Sequence, residues 1–341
     1  MRKYLLPENG SFYKANLHCH SNLSDGKKSP QELKDIYKSN GYSVLAYTDH
    51  DVFIPHHDLT DDEFLALAGF ELQYTESGYP ATTASKSSHF CFIAESPDII
   101  LHPDWNEACV RSAAHSKHLV KYDESIPQKE RNHTSECINE SVKKARDAGF
   151  FVTYNHPTWS LDEHNDYLRY EGMLALEIFN YDCSLLGYNS YVPDIYDEML
   201  RSGKRIYAVA ADDNHNGFPP DHPKYDSFGG FVMIKAPELK YKSIIDALFA
   251  GNFYASQGPE IYDLYIEDNK IHITCSDAQM IALNTCKRSA QSVIARKGES
   301  VTEATFTFAE GDGYLRLTVK DSQGRYANTR AYFTDEFSCK E

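Results

Sequence analysis

The sequence predicts an α/β fold in which parallel strands close, or nearly close, into a barrel, followed by a small antiparallel β domain. Three observations lead to this prediction. Short apolar runs alternate with helical segments seven times, which is typical of parallel β/α units. Several runs end in polar clusters, where such a barrel carries its reactive groups. From about residue 260 the pattern becomes alternating and strand-like, with turns between the runs.

The predicted barrel strands are the seven apolar runs. In chain order they are ANLHCH, SVLAYTDHD, FLALAGFELQ, HFCFIAE, FFVTYNHP, LALEIFNYD and RIYAVAADDNH. Between them, SPQELKDIYKSNG predicts a helix with Ser29 as N-cap, Pro30 at the first helical position and Gly41 as its stop. INESVKKARDAGF and VPDIYDEMLRSGK predict further helices that also close at a glycine.

Two segments interrupt this alternation. Residues 79–88, YPATTASKSS, are polar and predict a loop. Residues 101–140 are too long for one connection and carry helical features, so we expect a helical insertion that could cover the site. The expected domains are therefore a barrel over residues 1–259, with this insertion, and a small antiparallel β-rich accessory domain over residues 260–341.

The charge of the chain argues against one class of partner. The sequence contains 34 Lys and Arg against 50 Asp and Glu, a formal net charge of −16, and it has no dense basic run. A protein that binds duplex nucleic acid through phosphates needs a basic face. We therefore expect no nucleic-acid duplex as partner.

Cysteine spacing and hydropathy predict a cytoplasmic protein with reduced thiols. None of the eight cysteines forms a CxxC pair, so zinc-ribbon spacing is absent from the sequence. The first residues, MRKYLLPENGS, contain no apolar run of signal-peptide length. No uninterrupted apolar run approaches the roughly 18 residues of a membrane span, so we expect no membrane association.

The first polar cluster, NLHCHSNLSDG, contains His18, His20 and Asp25. On a strand, residues i and i+2 point to the same face, so the two histidines can bind one ion together. Cys19 points the other way and is expected to pack in the core. An isolated HxH pattern is weak evidence for a metal, so the interpretation depends on the other strand ends.

Further donors follow the later runs. TDHD contributes Asp49, His50 and Asp51, and NHP contributes His156. Glu71 lies in the apolar run GFELQ, where a carboxylate is costly unless it is paired or bound to a metal. Neutral histidines and ionised carboxylates together suit divalent zinc, manganese or iron. The last strand ends in ADDNH, with Asp212, Asp213 and His215.

Together, NLHCHSNLSDG, TDHD, GFEL, a central NHP and DDNH resemble the polymerase and histidinol phosphatase (PHP) superfamily, in its stand-alone phosphoesterase form. GNFYASQGPEI resembles the end of that domain, so the resemblance covers about residues 14–260. It implies a distorted, TIM-like (β/α)7 barrel with two or three divalent metals, and it likens the C-terminal region to a small appended β-sandwich. By this resemblance, His18, His20, Glu71 and Asp213 hold one metal; Glu71, His89 and His156 a second; Asp25, His50 and His215 a third.

The implied reaction is hydrolysis of a phosphate ester on a small molecule, of nucleotide, sugar or histidinol phosphate type. The attacking group would be a metal-activated hydroxide, and a metal-bound water, Asp25 or His215 could protonate the leaving oxygen. Two alternatives stay open: a phosphodiesterase acting on a cyclic or nucleoside diester, and a non-catalytic metal-binding regulatory module. An amidohydrolase also begins with HxH on a barrel strand, but it would lack SDG, TDHD and the acid-x-His pair.

Substrate contacts are less readable from the sequence. A basic group is expected to meet the phosphate, and Arg111, Lys117 and Arg131 in the predicted insertion are candidates. Trp159, just after NHPT, could stack on a base or sugar or could form a wall of the pocket.

Overall fold

A computed structural model describes residues 2–76 and 86–337 of the chain and has a mixed α/β architecture built around one large sheet. The strands are β1 Lys3–Tyr4, β2 Ser11–Asn16, β3 Val44–Tyr47, β4 Leu65–Thr75, β5 Ser87–Ala94, β6 Phe150–Asn155, β7 Ala175–Asn180, β8 Tyr207–Ala211, β9 Phe231–Ala236, β10 Phe253–Ser256, β11 Ile261–Glu267, β12 Lys270–Ala278, β13 Met280–Thr285, β14 Gln291–Ile294, β15 Val301–Thr307, β16 Tyr314–Lys320, β17 Tyr326–Thr329 and β18 Tyr332–Phe333. The helices are α1 Pro30–Ser39, α2 Ser135–Asp147, α3 His164–Tyr167, α4 Tyr181–Leu185, α5 Pro193–Arg201 and α6 Tyr241–Ala250.

Six of the seven predicted apolar runs form neighbouring strands, β3 to β8, in chain order. The first run, ANLHCH, overlaps β2 only at Ala15 and Asn16, and its two histidines follow that strand. Pairing is parallel from β2 to β4 and from β6 to β8, as predicted. β5 is antiparallel to both of its neighbours, and β9 runs antiparallel to β2. The connection from β4 to β5, residues 76–86, is shorter than the dozen or more residues that a parallel crossover needs, which accounts for the antiparallel β4–β5 pair.

The two ends of this series approach each other beyond β2 and β8. Cys19 and Asn214 form an isolated parallel bridge, and the His20 amide donates to the Asn214 carbonyl at 3.1 Å. The Asp213 amide donates to the His18 carbonyl at 3.1 Å. In the described part of the chain no named strand ladder joins β8 to β2, so the architecture is a strongly curved mixed sheet with this single closing bridge.

The three predicted helices correspond to α1, α2 and α5. The Ser29 hydroxyl accepts the amide of Glu32, whose carboxylate accepts the Ser29 amide, which is a capping box at the start of α1. Leu33 and Tyr37 form the buried face of α1. Most of the predicted loop 79–88 lies outside the described residues, and Ser87 and Ser88 already belong to β5.

The prediction of a helical insertion is wrong for residues 101–134. This segment contains two 3-10 turns, Glu107–Cys109 and Lys117–Leu119, and α2 begins only at Ser135. Trp105, Val110 and Val120 pack together around Val52. Their contacts with the body of the protein outweigh local helical propensity, which is a weak determinant by itself.

The C-terminal strands are antiparallel, as expected, and form two layers. β1, β11, β12 and β15 make a four-stranded sheet, while β13, β14, β16 and β17 extend the large sheet through pairing of β17 with β10. Apolar residues of both layers share one core, including Leu264, Ile273 and Leu317. β1 pairs with β11, so N-terminal residues take part in this layer. None of the helices in the described ranges is long and apolar enough to cross a membrane.

Candidate metal centre

The strand ends place nitrogen and oxygen donors on one side of the large sheet. The chain after β2 stays extended through its hydrogen bonds with residues 213 and 214, so His18 and His20 face the same way. Cys19 lies between the two histidines in the sequence, so it points to the opposite side, and it is buried among apolar residues as predicted.

His18, His20, Glu71 and Asp213 form the inner donor group. His18 Nε2 lies 3.1 Å from both His20 Nε2 and Asp213 Oδ1, and 3.2 Å from Glu71 Oε1. His20 Nε2 lies 3.0 Å from Asp213 Oδ1 and 3.5 Å from Glu71 Oε2. Two ligands of one zinc ion, each about 2.0–2.2 Å from it, lie about 3.0–3.5 Å apart. The separations in the inner donor group therefore fit a shared cation.

Glu71, on β4, is the centre of the arrangement and is fully buried. Its Oε1 lies 3.2 Å from His89 Nδ1 and 3.4 Å from His156 Nε2, and its Oε2 lies 2.9 Å from His50 Nδ1. Asn155 Nδ2 donates to Glu71 Oε1 at 3.1 Å. One carboxylate thus contacts histidines from three different strand ends, as expected of a bridging ligand.

Asp25, His50 and His215 form the outer donor group, nearer the solvent. Asp25 Oδ2 lies 3.6 Å from His50 Nε2, and Asp25 Oδ1 lies 3.5 Å from His215 Nε2. The ring of His20 lies between the other two imidazoles, with centroids 4.3 Å from His50 and 4.4 Å from His215. Asp226 accepts the His215 amide at 2.7 Å and so fixes the loop that carries this histidine.

Unpartnered buried atoms provide a test of whether these residues fit metal ions. In the described ranges, His20 Nδ1, Asp25 Oδ1 and Glu71 Oε2 have no hydrogen-bond partner. His50 Nδ1, although near Glu71 Oε2, makes no hydrogen bond either. Buried polar atoms are normally satisfied, and buried charges are paired or coordinate metals. The donor set of imidazoles and carboxylates therefore fits divalent ions.

The charged groups of the inner and outer donor groups shift one another's pKa values. Burial opposes a charge on His18, yet Asp213, Cys91, Glu71 and Glu177 together raise its pKa well above the usual value. Burial also opposes the charged form of His50, but Glu71 and the nearby aspartates raise its pKa to about 10. Without metal, His50 therefore carries a proton at neutral pH, which balances part of the carboxylate charge around it.

The remaining members of the cluster show opposite shifts. Burial, and then the neighbouring imidazoles of His50 and His215, lower the pKa of His20 to about 4. Despite burial, the same two histidines and His20 lower the pKa of Asp25 to about 2. Asp25 is therefore a carboxylate at neutral pH.

The structure distinguishes the two adjacent aspartates at the end of β8. Asp212 accepts the backbone amides of residues 228, 229 and 230 and the Tyr37 hydroxyl, so its carboxylate is already satisfied. Asp213 has a left-handed backbone with φ 56° and turns its carboxylate toward His18 and His20. Such conformations in non-glycine residues are held only by surrounding structure and cluster at functional sites. The geometry thus places Asp213 among the donors.

Glu177, on β7, belongs to this centre and was not among the expected residues. Its Oε1 lies 2.7 Å from His18 Nδ1. A carboxylate accepts, so His18 Nδ1 carries the proton and Nε2 is left to face the inner donor group. Glu177 Oε2 also accepts the His156 amide at 3.1 Å. The sequence indicated Glu177 in the same way as Glu71, because each is a glutamate within an apolar run, here ALEIFN.

The donors open onto a cavity of about 420 Å³. Trp159 lines it and makes edge-to-face contacts with His89 and His156, at centroid distances of 4.9 and 5.0 Å. Ser112 brings the 101–134 segment to the cavity wall. Asp182 also lines the cavity, and burial together with Asp213 raises its pKa to about 7.

The three basic residues expected to meet a phosphate lie away from this cavity lining. Arg111 is exposed, and Lys117 pairs with Glu107 at 2.7 Å on the surface. Arg131 is buried and pairs with Asp51 at 2.6 Å, where it anchors the 101–134 segment to the end of β3. The expectation came from placing these residues in an insertion that could cover the site; the segment does reach the cavity wall, but through Ser112.

Comparison with known proteins gives structural likeness only. No protein-family model matches the chain, and no curated protein matches it significantly. Twelve chains of solved structures resemble it, among them the following three. A two-domain protein containing a predicted PHP-like metal-dependent phosphoesterase, from Bacteroides vulgatus ATCC 8482, is 15% identical, with 97% of this chain and 98% of that chain covered and a TM-score of 0.47. A putative metal-dependent phosphoesterase from Bifidobacterium adolescentis ATCC 15703 is 14% identical, with 64% and 91% covered and a TM-score of 0.35. An amidohydrolase from Chromobacterium violaceum with bound sulfate is 15% identical, with 59% and 87% covered and a TM-score of 0.38.

Proposed function

We propose that this chain is a metal-dependent phosphoesterase that hydrolyses a phosphate ester on a small molecule. The observation that carries the proposal is the convergence on Glu71 of imidazoles from several strand ends, with unpartnered buried donor atoms beside a cavity. The chemistry of the donors, nitrogen and carboxylate oxygen, suits zinc, manganese or iron.

The proposed ligands follow the geometric groups. The inner donor group would hold one ion. Glu71, with His89 and His156, would share in a second. The outer donor group would hold a third. When bound, divalent ions would lower the pKa of a water toward about 7 and neutralise charge on the phosphate.

The residues of the chain have separate tasks in this proposal. Glu177 orients His18 through its Nδ1–H, and Asn155 orients Glu71. Asp25, with its low pKa, is suited to bind a cation and not to donate a proton to the leaving oxygen. His215, when it is not a ligand, and Asp182, whose pKa is near neutral, are the candidate proton donors at the cavity.

The open cavity favours catalysis over a purely structural metal role. Structural metal sites are usually closed by four protein ligands, whereas catalytic sites keep an open position. Here the outer donor group and Glu71 line a cavity large enough for a small molecule. The cavity does not by itself separate a monoester from a cyclic or nucleoside diester.

The test is metal depletion and reconstitution of the full chain. The protein is dialysed against a chelator, and zinc, manganese or iron is added back, with metal content measured at each stage. We expect hydrolysis of phosphate esters to disappear and to return with at least one metal. Parallel kinetics on monoesters and diesters assign the substrate class. Metal binding without hydrolysis on a broad ester panel would support the regulatory alternative.

A further inference from the structure

The loop between β8 and β9 carries the strongest basic feature of the cavity. Of the described residues that line the cavity, Lys224 is the sole lysine or arginine. The other charged lining residues, apart from histidines, are acids: Asp25, Glu71, Asp182, Asp213 and Asp226. A negatively charged substrate that enters the cavity would therefore find acidic side chains and one permanently charged cation, Lys224.

The loop holds Lys224 in place by its own contacts. Phe218 and His222 stack with centroids 4.3 Å apart and ring planes 10° apart. The Lys224 amide donates to His222 Nδ1 at 3.1 Å, and the Tyr225 amide donates to the His222 carbonyl at 3.0 Å. The prolines of GFPPDHPK further restrict the backbone of the loop.

Both ends of this loop are tied to the candidate metal centre. Asp226 accepts the amides of His215 at 2.7 Å and Asn216 at 3.0 Å. Asp212 accepts the amides of Phe228 and Gly229, each at 2.8 Å. The element that presents Lys224 thus also presents His215, so the backbone at Lys224 is held relative to the outer donor group.

The side chain of Lys224 is available to a ligand. Across residues 2–76 and 86–337, no ion pair involves its ammonium group; the Nζ atom lies 6.0 Å from the centroid of the Phe218 ring, and the residue is exposed at the cavity. By contrast, two of the three cations expected from sequence, Lys117 and Arg131, are each paired with an acid, and the third, Arg111, is not part of the cavity lining. An ammonium without an acid partner costs little to engage with an anion, since no existing pair must be broken.

We propose that Lys224 is the substrate-binding cation that contacts the phosphate of the ester, and that it acts through binding and not through metal retention. The substrate class rests on the proposed function; the anion-binding role of Lys224 does not. A fixed positive charge at the rim of an acidic cavity also attracts anionic substrate from solution, an effect that salt screens.

The test uses the metal-reconstituted full chain, with inorganic phosphate as the probe. Binding of phosphate is measured by calorimetry for the wild type, Lys224→Gln and Lys224→Arg, together with metal content and thermal melting. Lys242→Gln is the matched control, because Lys242 is an exposed lysine on α6 that pairs with Asp246. It removes the same charge at a distance from the cavity lining.

We expect Lys224→Gln to weaken phosphate binding about tenfold, as loss of one charged contact does. Lys224→Arg should stay within about threefold of wild type, because the cation is retained. KM for an ester should rise with Lys224→Gln while kcat changes less than about twofold. Metal content should be unchanged in all variants, and Lys242→Gln should behave as wild type.

Phosphate binding by Lys224→Gln at the wild-type affinity would overturn the inference, as would a wild type that binds no phosphate. Its failure is distinguishable from failure of the proposed function. Hydrolysis with a wild-type phosphate affinity in Lys224→Gln rejects only the role of the lysine. Lys224-dependent phosphate binding without hydrolysis of any ester rejects only the phosphoesterase.

Discussion

The inner and outer donor groups use the same side-chain chemistry in different surroundings. Glu71 is completely buried, and the side chains of His18 and His20 are no more than 1% exposed. In the outer donor group the side chains of Asp25 and His215 are 38% and 30% exposed. Strand ends and buried partners hold the first group, whereas loops hold much of the second.

This difference indicates which part of the centre is already in place before a metal ion binds. Glu177 and Asn155 fix His18 and Glu71 before any ion arrives. Such outer partners raise metal affinity because ligand orientation is set in advance. All three members of the outer donor group line the cavity, whereas of the inner donor group only Glu71 and Asp213 do. We therefore expect tight binding at the inner donor group and weaker, substrate-facing binding at the outer donor group.

Glu71→Gln is the strongest test of this comparison, because Glu71 contacts members of both groups. We expect kcat/KM for a phosphate ester to fall roughly 1,000-fold or more, since loss of a partner outside the ligand shell alone costs 10- to 100-fold. Metal content should fall as well. Glu63→Gln, at an exposed surface acid, is the control. A Glu71→Gln protein with activity within tenfold of wild type would refute the central role of this residue.

Asp25→Asn addresses the outer donor group alone. It removes the carboxylate that lies between His50 and His215. We expect activity to fall roughly 100-fold, because the outer donor group loses its carboxylate ligand, while the inner donor group keeps its metal. Metal stoichiometry by elemental analysis, alongside kinetics, checks this. If all metal is lost together, the two groups are not independent.

Glu177→Gln weakens the inner donor group without removing a proposed ligand. The neutral amide still accepts a hydrogen bond but no longer stabilises His18 by charge, so we expect metal affinity to fall roughly 10- to 100-fold. Competition with a chromophoric chelator measures it. The matched change Glu198→Gln, at a surface acid bonded to His164, should leave metal affinity unchanged. Equal affinities in Glu177→Gln and wild type would show that this partner is dispensable.

A change of pH is expected to have the smallest effect, about tenfold in metal affinity per pH unit. His50 has a pKa raised to about 10 from 6.5 in the metal-free fold, so it is protonated at neutral pH and must lose its proton to bind a cation. Metal affinity should therefore rise about tenfold per pH unit between pH 7 and 9 for each proton released. The stabilisation that protonated His50 gives to the metal-free fold is complete below its unfolded pKa and is lost as pH rises toward 10.

Calorimetry in buffers of different ionisation enthalpy counts the released protons, and thermal melting of the metal-free protein follows the stability. A metal affinity that is constant over this pH window would mean that His50 does not exchange a proton for metal.

Local sequence pattern predicted the strands β3 to β8, the end of β2, three helices and the polar clusters that follow the strands. These features depend on local regularities, such as a period of two in strands and the cap of α1, which neighbouring residues determine. The expected helix in 101–134 failed because its apolar residues pack around Val52, a contact that local pattern does not encode. Glu177 showed the same indication as Glu71 and could have been found.

The tertiary structure alone decided which donors meet and which cation faces them. Asp212 and Asp213 are adjacent in sequence, yet the loop before β9 satisfies the first and a left-handed backbone turns the second toward His18. Lys224 reaches the cavity, whereas Arg131 is held by Asp51. These outcomes join residues far apart in the chain through the curvature of the sheet. Residue type and spacing therefore specify the available chemistry, and long-range packing specifies its geometry.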